Sequence, residues 1–86
     1  MNVSKSIVDK TVVYLKEYGK IKLQLKEIMD ERKITRNNLA TALNTRFEVI
    51  NKWYNNEVEK MDLDILARLC YVLDCTPADI IKYEEE

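Results

Sequence analysis

The chain of 86 residues contains no histidine, one glycine, one proline, two cysteines and one tryptophan. Each scarcity removes a class of answers. Without histidine, and with Cys70 and Cys75 five positions apart rather than in a C-x-x-C spacing, the usual zinc ligand sets are excluded; no metal or other cofactor is expected. No nucleophile has an imidazole base, no glycine-rich loop can cradle a phosphate and no acid pair is clustered, so an enzyme is not expected. The cysteines read as small buried hydrophobes. No apolar run reaches the roughly 18 residues of a membrane span. The start, MNVSKS, has no apolar stretch behind its charges, which favours a cytoplasmic protein without a signal peptide. Net positive charge is also missing: 14 Lys and Arg stand against 15 Asp and Glu, for a formal charge of -1.

What remains suits one small domain. With so little glycine and proline to interrupt helices, and with leucine, lysine and glutamate frequent, the expected class is all-α. Two short helical patterns stand out between Thr35 and Asn56, TRNNLATALNTRFEVINKWYNN, with a break of about three residues between them. Leu39, Ala40 and Leu43 form the inner face of the first, and Val49, Ile50 and Trp53 that of the second. Ala40 is small enough for a steep crossing, and Asn44 tolerates the positive φ of a sharp turn. This pattern predicts a helix-turn-helix whose second helix turns Arg46, Phe47, Glu48, Asn51 and Lys52 outward.

Around that pair the rest falls into place. Ile21 to Leu23 reads as a brief extended lead-in to a first helix, about Gln24 to Lys33, with Leu25, Ile28 and Met29 inward. Thr35 is the expected N-cap of the second helix, and Thr45 that of the third. A fourth helix, about Asp62 to Asp74 and capped by Asp62, shows one apolar stripe of Leu63, Leu66, Ala67, Cys70 and Leu73 and a second of Ile65, Leu69 and Val72, so it is expected to be largely buried, by its own domain or by a partner. Thr76-Pro77-Ala78-Asp79 is a strong start signal for a fifth helix, and Glu84 to Glu86 read as a solvated tail. At the other end, Ile7, Thr11, Tyr14 and Tyr18 follow helical spacing, which favours an amphipathic helix. The alternation in TVVYLKEYGKIKLQL keeps open a hairpin turning at Tyr18-Gly19. The domain reading is therefore 1–19 as an N-terminal extension, possibly dimerising, 20–83 as the helix-turn-helix domain and 84–86 as an acidic tail.

The residues from Thr35 to Asn56 resemble the helix-turn-helix of the Cro-type (XRE-type) phage-repressor family without a gap, at Thr35, Leu39, Ala40, Leu43, Ile50, Trp53 and Asn55. The likeness continues through Leu63, Leu66, Leu69, Leu73 and Ile80. It departs at Asn44 and Asn56, where the family usually has glycine, at Arg36 (glutamine), at Arg46 (a small hydroxyl residue) and at Tyr54 (glutamate). The resemblance implies a five-helix repressor-like fold and a sequence-specific, repressor-like regulator with about Arg46 to Tyr54 in the major groove of double-stranded DNA.

Charge distribution supports this more than the total does. Arg32, Lys33, Arg36, Arg46 and Lys52 face one acid, Glu48, across 32–52, whereas 61–86 holds seven acids and two bases. Phe47, Glu48 and Lys52 are the candidates for base contact: a thymine methyl for Phe47, a cytosine amino group for Glu48, guanine or phosphate for Lys52. Arg36, Arg46, Asn51 and Asn55 are the phosphate candidates. A bland alternative packs Phe47 on the first helix or the N-terminal segment and joins Glu48 to Lys52 as a surface pair. One module buries only about 600 to 1,000 Å² on DNA, so a homodimer is expected, joined through the N-terminal stripe or through Ile65 and Val72. No small-molecule effector is evident. The rival class is a protein-interaction module, an antitoxin or antirepressor on the same fold.

Overall fold

The computed structural model describes residues 18–85, so the reading of 1–17 as helix or hairpin arm lies outside the described residues. Strand β1 (Lys20–Leu23) leads into α1 (Leu25–Arg32), α2 (Arg36–Leu43), α3 (Phe47–Tyr54), α4 (Leu63–Leu73), the single turn α5 (Pro77–Ile80) and strand β2 (Ile81–Glu84). The strands pair antiparallel, Ile21 opposite Tyr83 and Leu23 opposite Ile81. The five expected helices are present, but the chain is not purely all-α. The extended lead-in is a true strand, and residues read as the end of the fifth helix and a solvated tail supply its partner. Glu84 is half-buried opposite Lys20. Alternation over four residues is too short a signal to name a partner some sixty positions away.

Local chemistry sets most boundaries as expected. The Thr35 hydroxyl accepts from the Asn38 N–H at 3.1 Å, and Asp62 Oδ1 accepts from Asp64 N–H at 2.9 Å and Ile65 N–H at 3.3 Å. These bonds satisfy donors that a helix start leaves unpaired. Asp79 Oδ2 accepts from the Thr76 backbone N–H at 2.8 Å and from its hydroxyl at 3.1 Å. Those two bonds hold the Asp79 carboxyl below the ordinary 3.8. One cap differs: Arg46, not Thr45, precedes α3, and no side-chain bond caps that helix.

The first four helices end alike. Lys33, Asn44, Asn56 and Asp74 take positive φ, between 51 and 59°, and the next N–H in each case reaches back five residues: Ile34 to Met29, Thr45 to Ala40, Glu57 to Lys52 and Cys75 to Cys70. This is the ending that glycine normally serves, here made four times without one.

The core is apolar throughout: Leu25, Met29, Leu39, Ile50, Leu69, Leu73 and Ile80 are fully buried, with Ala40 and Trp53 nearly so. Each large aliphatic side chain contributes about 1.5 to 3 kcal/mol on burial. On α4 only the stripe Ile65, Leu66, Leu69 and Leu73 is covered. Each expected stripe is thus covered in part, while Leu63 of one is 73% exposed and Val72 of the other 39% exposed, and Tyr71 beside them is 88% exposed. Cys70 and Cys75 are free and half-buried rather than fully enclosed, and burial raises the Cys75 thiol pKa.

Two arginines tie the helices together. Arg68 donates to the Leu43 carbonyl at 3.0 Å while pairing with Asp64 at 2.8 Å, and Arg32 donates to the Leu73 carbonyl. Each meets the negative end of another helix. Arg32 is therefore spent on the scaffold and leaves the positive set inferred from charge alone.

Candidate nucleic-acid interface

Helix α3 is anchored by one face and open on the other. Ile50 and Trp53 point into the core, with Val49 half-buried beside them. At 100° per residue the opposite face carries Glu48 and Asn55, flanked by Asn51 on one side and Lys52 on the other. Glu48, Lys52 and Asn55 are exposed, Asn51 half-buried. Lys52 borders a cleft of about 480 Å³ floored by Val49, Trp53, Val58 and Ile65. Glu48 and Lys52 form no ion pair with each other among the described residues, whose pairs are Lys22–Glu27, Lys26–Asp30 and Arg68–Asp64.

The other flank of α3 meets the start of α2. Arg36 Nη1 donates to Asn51 Oδ1 at 2.8 Å. The guanidinium carbon lies 4.8 Å from the centre of the Tyr54 ring and 5.8 Å from that of Phe47, within the range of cation–π attraction. Ile34, Thr35, Arg36, Asn37, Phe47 and Tyr54 line a cleft of about 310 Å³ here. Behind it, the Tyr54 hydroxyl donates to Asp30 Oδ1 at 2.8 Å, and Lys26 Nζ donates to Asp30 Oδ2 at 2.7 Å. The bonds from Lys26 and then Tyr54 hold the Asp30 carboxyl below its ordinary range; the same carboxylate raises Lys26. Both groups are on the surface, so the pair is screened and of small energetic weight.

Residues 24–86 match the Cro/C1-type HTH DNA-binding domain family. The chain belongs to that family. Two solved structures share its fold. One is a Bacteroides fragilis protein assigned to DNA binding, 22% identical, with TM-score 0.65, covering 73% of this chain and 100% of that one. The other is the transcriptional regulator VanUg, 23% identical, with TM-score 0.64, covering 80% of this chain and 91% of that one. No curated protein matches the chain.

Within this Cro/C1-type frame, three of the seven residues singled out from sequence come together: Arg36, Phe47 and Asn51. Glu48, Lys52 and Asn55 share the open face and make no side-chain hydrogen bond or ion pair with that cluster among the described residues. Arg46 caps α3 from an exposed position. Phe47 is 39% exposed, neither sealed into the core nor standing alone, because Arg36 lies over it. The two asparagines found where the family usually has glycine both have positive φ, and Asn56 adds a bond that glycine lacks, accepting from the Leu23 N–H at 3.0 Å. Sequence reasoning missed Tyr54, which it treated only as a departure from the family. A signal was present: Phe47, Asn51 and Tyr54 are spaced four and three apart and form one stripe on α3.

Proposed function

We propose that this chain is a sequence-specific DNA-binding transcriptional regulator that acts as a repressor, with α3 entering the major groove. The observation that carries the reading is the open face of α3, backed by the buried Ile50 and Trp53 and left uncovered by the other described residues. Phe47, Glu48 and Lys52 would meet base edges. Arg36, Arg46, Asn51 and Asn55 would hold phosphates, Arg36 with the donors that Asn51 leaves free.

A second copy is part of this reading, since one module covers only about 600 to 1,000 Å² of DNA. Ile65 is withdrawn from the candidate dimer surface because it is buried in its own subunit. Val72, with the exposed Tyr71 and Leu63, stays available. A monomer in light scattering at micromolar concentration would count against a dimer.

Selection of bound fragments from random duplex DNA tests the function, followed by affinity measured against salt. A regulator enriches one sequence and loses affinity steeply with salt. Arg36→Ala and Lys52→Ala should each weaken binding and reduce the salt slope by about 1. No enriched duplex, or a partner protein bound with little salt response, overturns the proposal in favour of an interaction module.

A further inference from the structure

Arg36 and Tyr54, two of the positions at which this chain departs from its family, touch each other. An exposed arginine normally samples many rotamers and loses that freedom on gripping a phosphate. Arg36 is restrained beforehand, by the Asn51 amide oxygen at 2.8 Å and the Tyr54 ring at 4.8 Å. The ring is itself fixed, its hydroxyl bonded to Asp30 Oδ1. Asp30 is the nearby acid that could draw the guanidinium away from a duplex. Tyr54 engages one of its oxygens and Lys26 the other, leaving Arg36 the ring face rather than the carboxylate.

We infer that Tyr54 is a positioning residue for the Arg36 phosphate contact: its ring face holds the guanidinium ready. This deepens the DNA-binding reading above and rests on it. The phenol makes no contact with DNA in this arrangement; it acts through Arg36.

Two variants separate positioning from scaffolding. Tyr54→Leu fills space beside α1 but offers no aromatic face, whereas Tyr54→Phe keeps the face and loses the hydroxyl. In isotope-labelled free protein, the Arg36 Nε–H signal should be ring-shifted in wild type and Tyr54→Phe, and should move toward an ordinary arginine position in Tyr54→Leu, keeping only the weaker shift from the Phe47 ring at 5.8 Å. On the selected duplex, Tyr54→Leu should weaken binding about two- to fivefold, the size of an exposed cation–π contact. That loss should vanish in an Arg36→Ala background, and Tyr54→Phe should stay within about twofold of wild type, since the face survives. Equal loss in both backgrounds, an unmoved Arg36 signal, or Tyr54→Phe behaving as Tyr54→Leu overturns the inference while leaving the DNA reading intact. A wild-type protein that binds no duplex overturns the DNA reading and this inference with it. Should Tyr54→Leu fail to fold, Tyr54→Met takes its place in both measurements.

Discussion

Phe47 shows how much a single side chain's surroundings decide. A phenylalanine 39% exposed at the first position of α3 is not explained by the core, which is complete without it. In the proposed complex its free edge meets a thymine methyl while Arg36 covers part of the ring. Phe47→Ala is expected to relax sequence preference at one base-pair position by about 1 to 3 kcal/mol, measured by competition between single-substituted duplexes. Unchanged preference would remove it from the reading set. The helix endings give a prediction independent of DNA. Lys33 takes φ of 57°, costly for a residue with a Cβ, so Lys33→Gly should stabilise the fold by about 0.5 to 1 kcal/mol in urea denaturation. Asn56→Gly should gain less or nothing, because it also loses the bond from Leu23 N–H. Of the positive-φ positions, Asn44 was legible beforehand from residue type and motif spacing. Lys33 was not, since nothing in lysine announces a left-handed backbone, and Asp74 was read only as the end of α4 although aspartate tolerates that conformation.

At the scale of elements, caps were legible and coverage was not. Thr35, Asp62 and the Thr76–Asp79 box act within three residues of themselves, so sequence carries the whole interaction. The last of these makes a pH prediction. The Asp79 carboxyl is held below the ordinary 3.8 by its bonds to Thr76. Its contribution is therefore fully present above that value and is lost as pH falls through the lower folded one. Thermal midpoints followed from about pH 5 to pH 2 should fall in wild type and fall less in Asp79→Ala, the variant being the less stable of the two at neutral pH. Equal slopes would refute the linkage. By contrast, the two apolar stripes of α4 predicted burial on both sides, and each is covered only in part. Periodicity reports which residues share a face. It does not report whether a neighbouring element reaches that face.

For the molecule as a whole, closure of the described chain depends on a contact between its two ends. Gly19 lies against the backbone of Glu84, where an added Cβ would sit 1.9 Å from the carbonyl oxygen. Its N–H donates to the Tyr83 hydroxyl at 2.8 Å. Gly19→Ala must therefore push β1 and β2 apart at the Lys20–Glu84 end. The expected cost is about 1 to 3 kcal/mol, read as faster amide hydrogen exchange in the two strands with the helices still protected. Unaltered exchange in both strands would contradict the close approach. The sequence determined on its own the starts of α2, α4 and α5, the apolar set of α1 to α3 and the crossing built on Ala40 and Trp53, because these depend on neighbours within a turn or two. Tertiary structure alone decided that 20–23 and 81–84 become one sheet and that, among the described residues, Leu63, Tyr71 and Val72 of α4 stay exposed. It also took Arg32 and Arg68 for helix ends, and gathered Arg36, Phe47, Asn51 and Tyr54 into one cluster. Those outcomes depend on which distant surfaces meet, and a one-dimensional pattern of polarity carries no record of that.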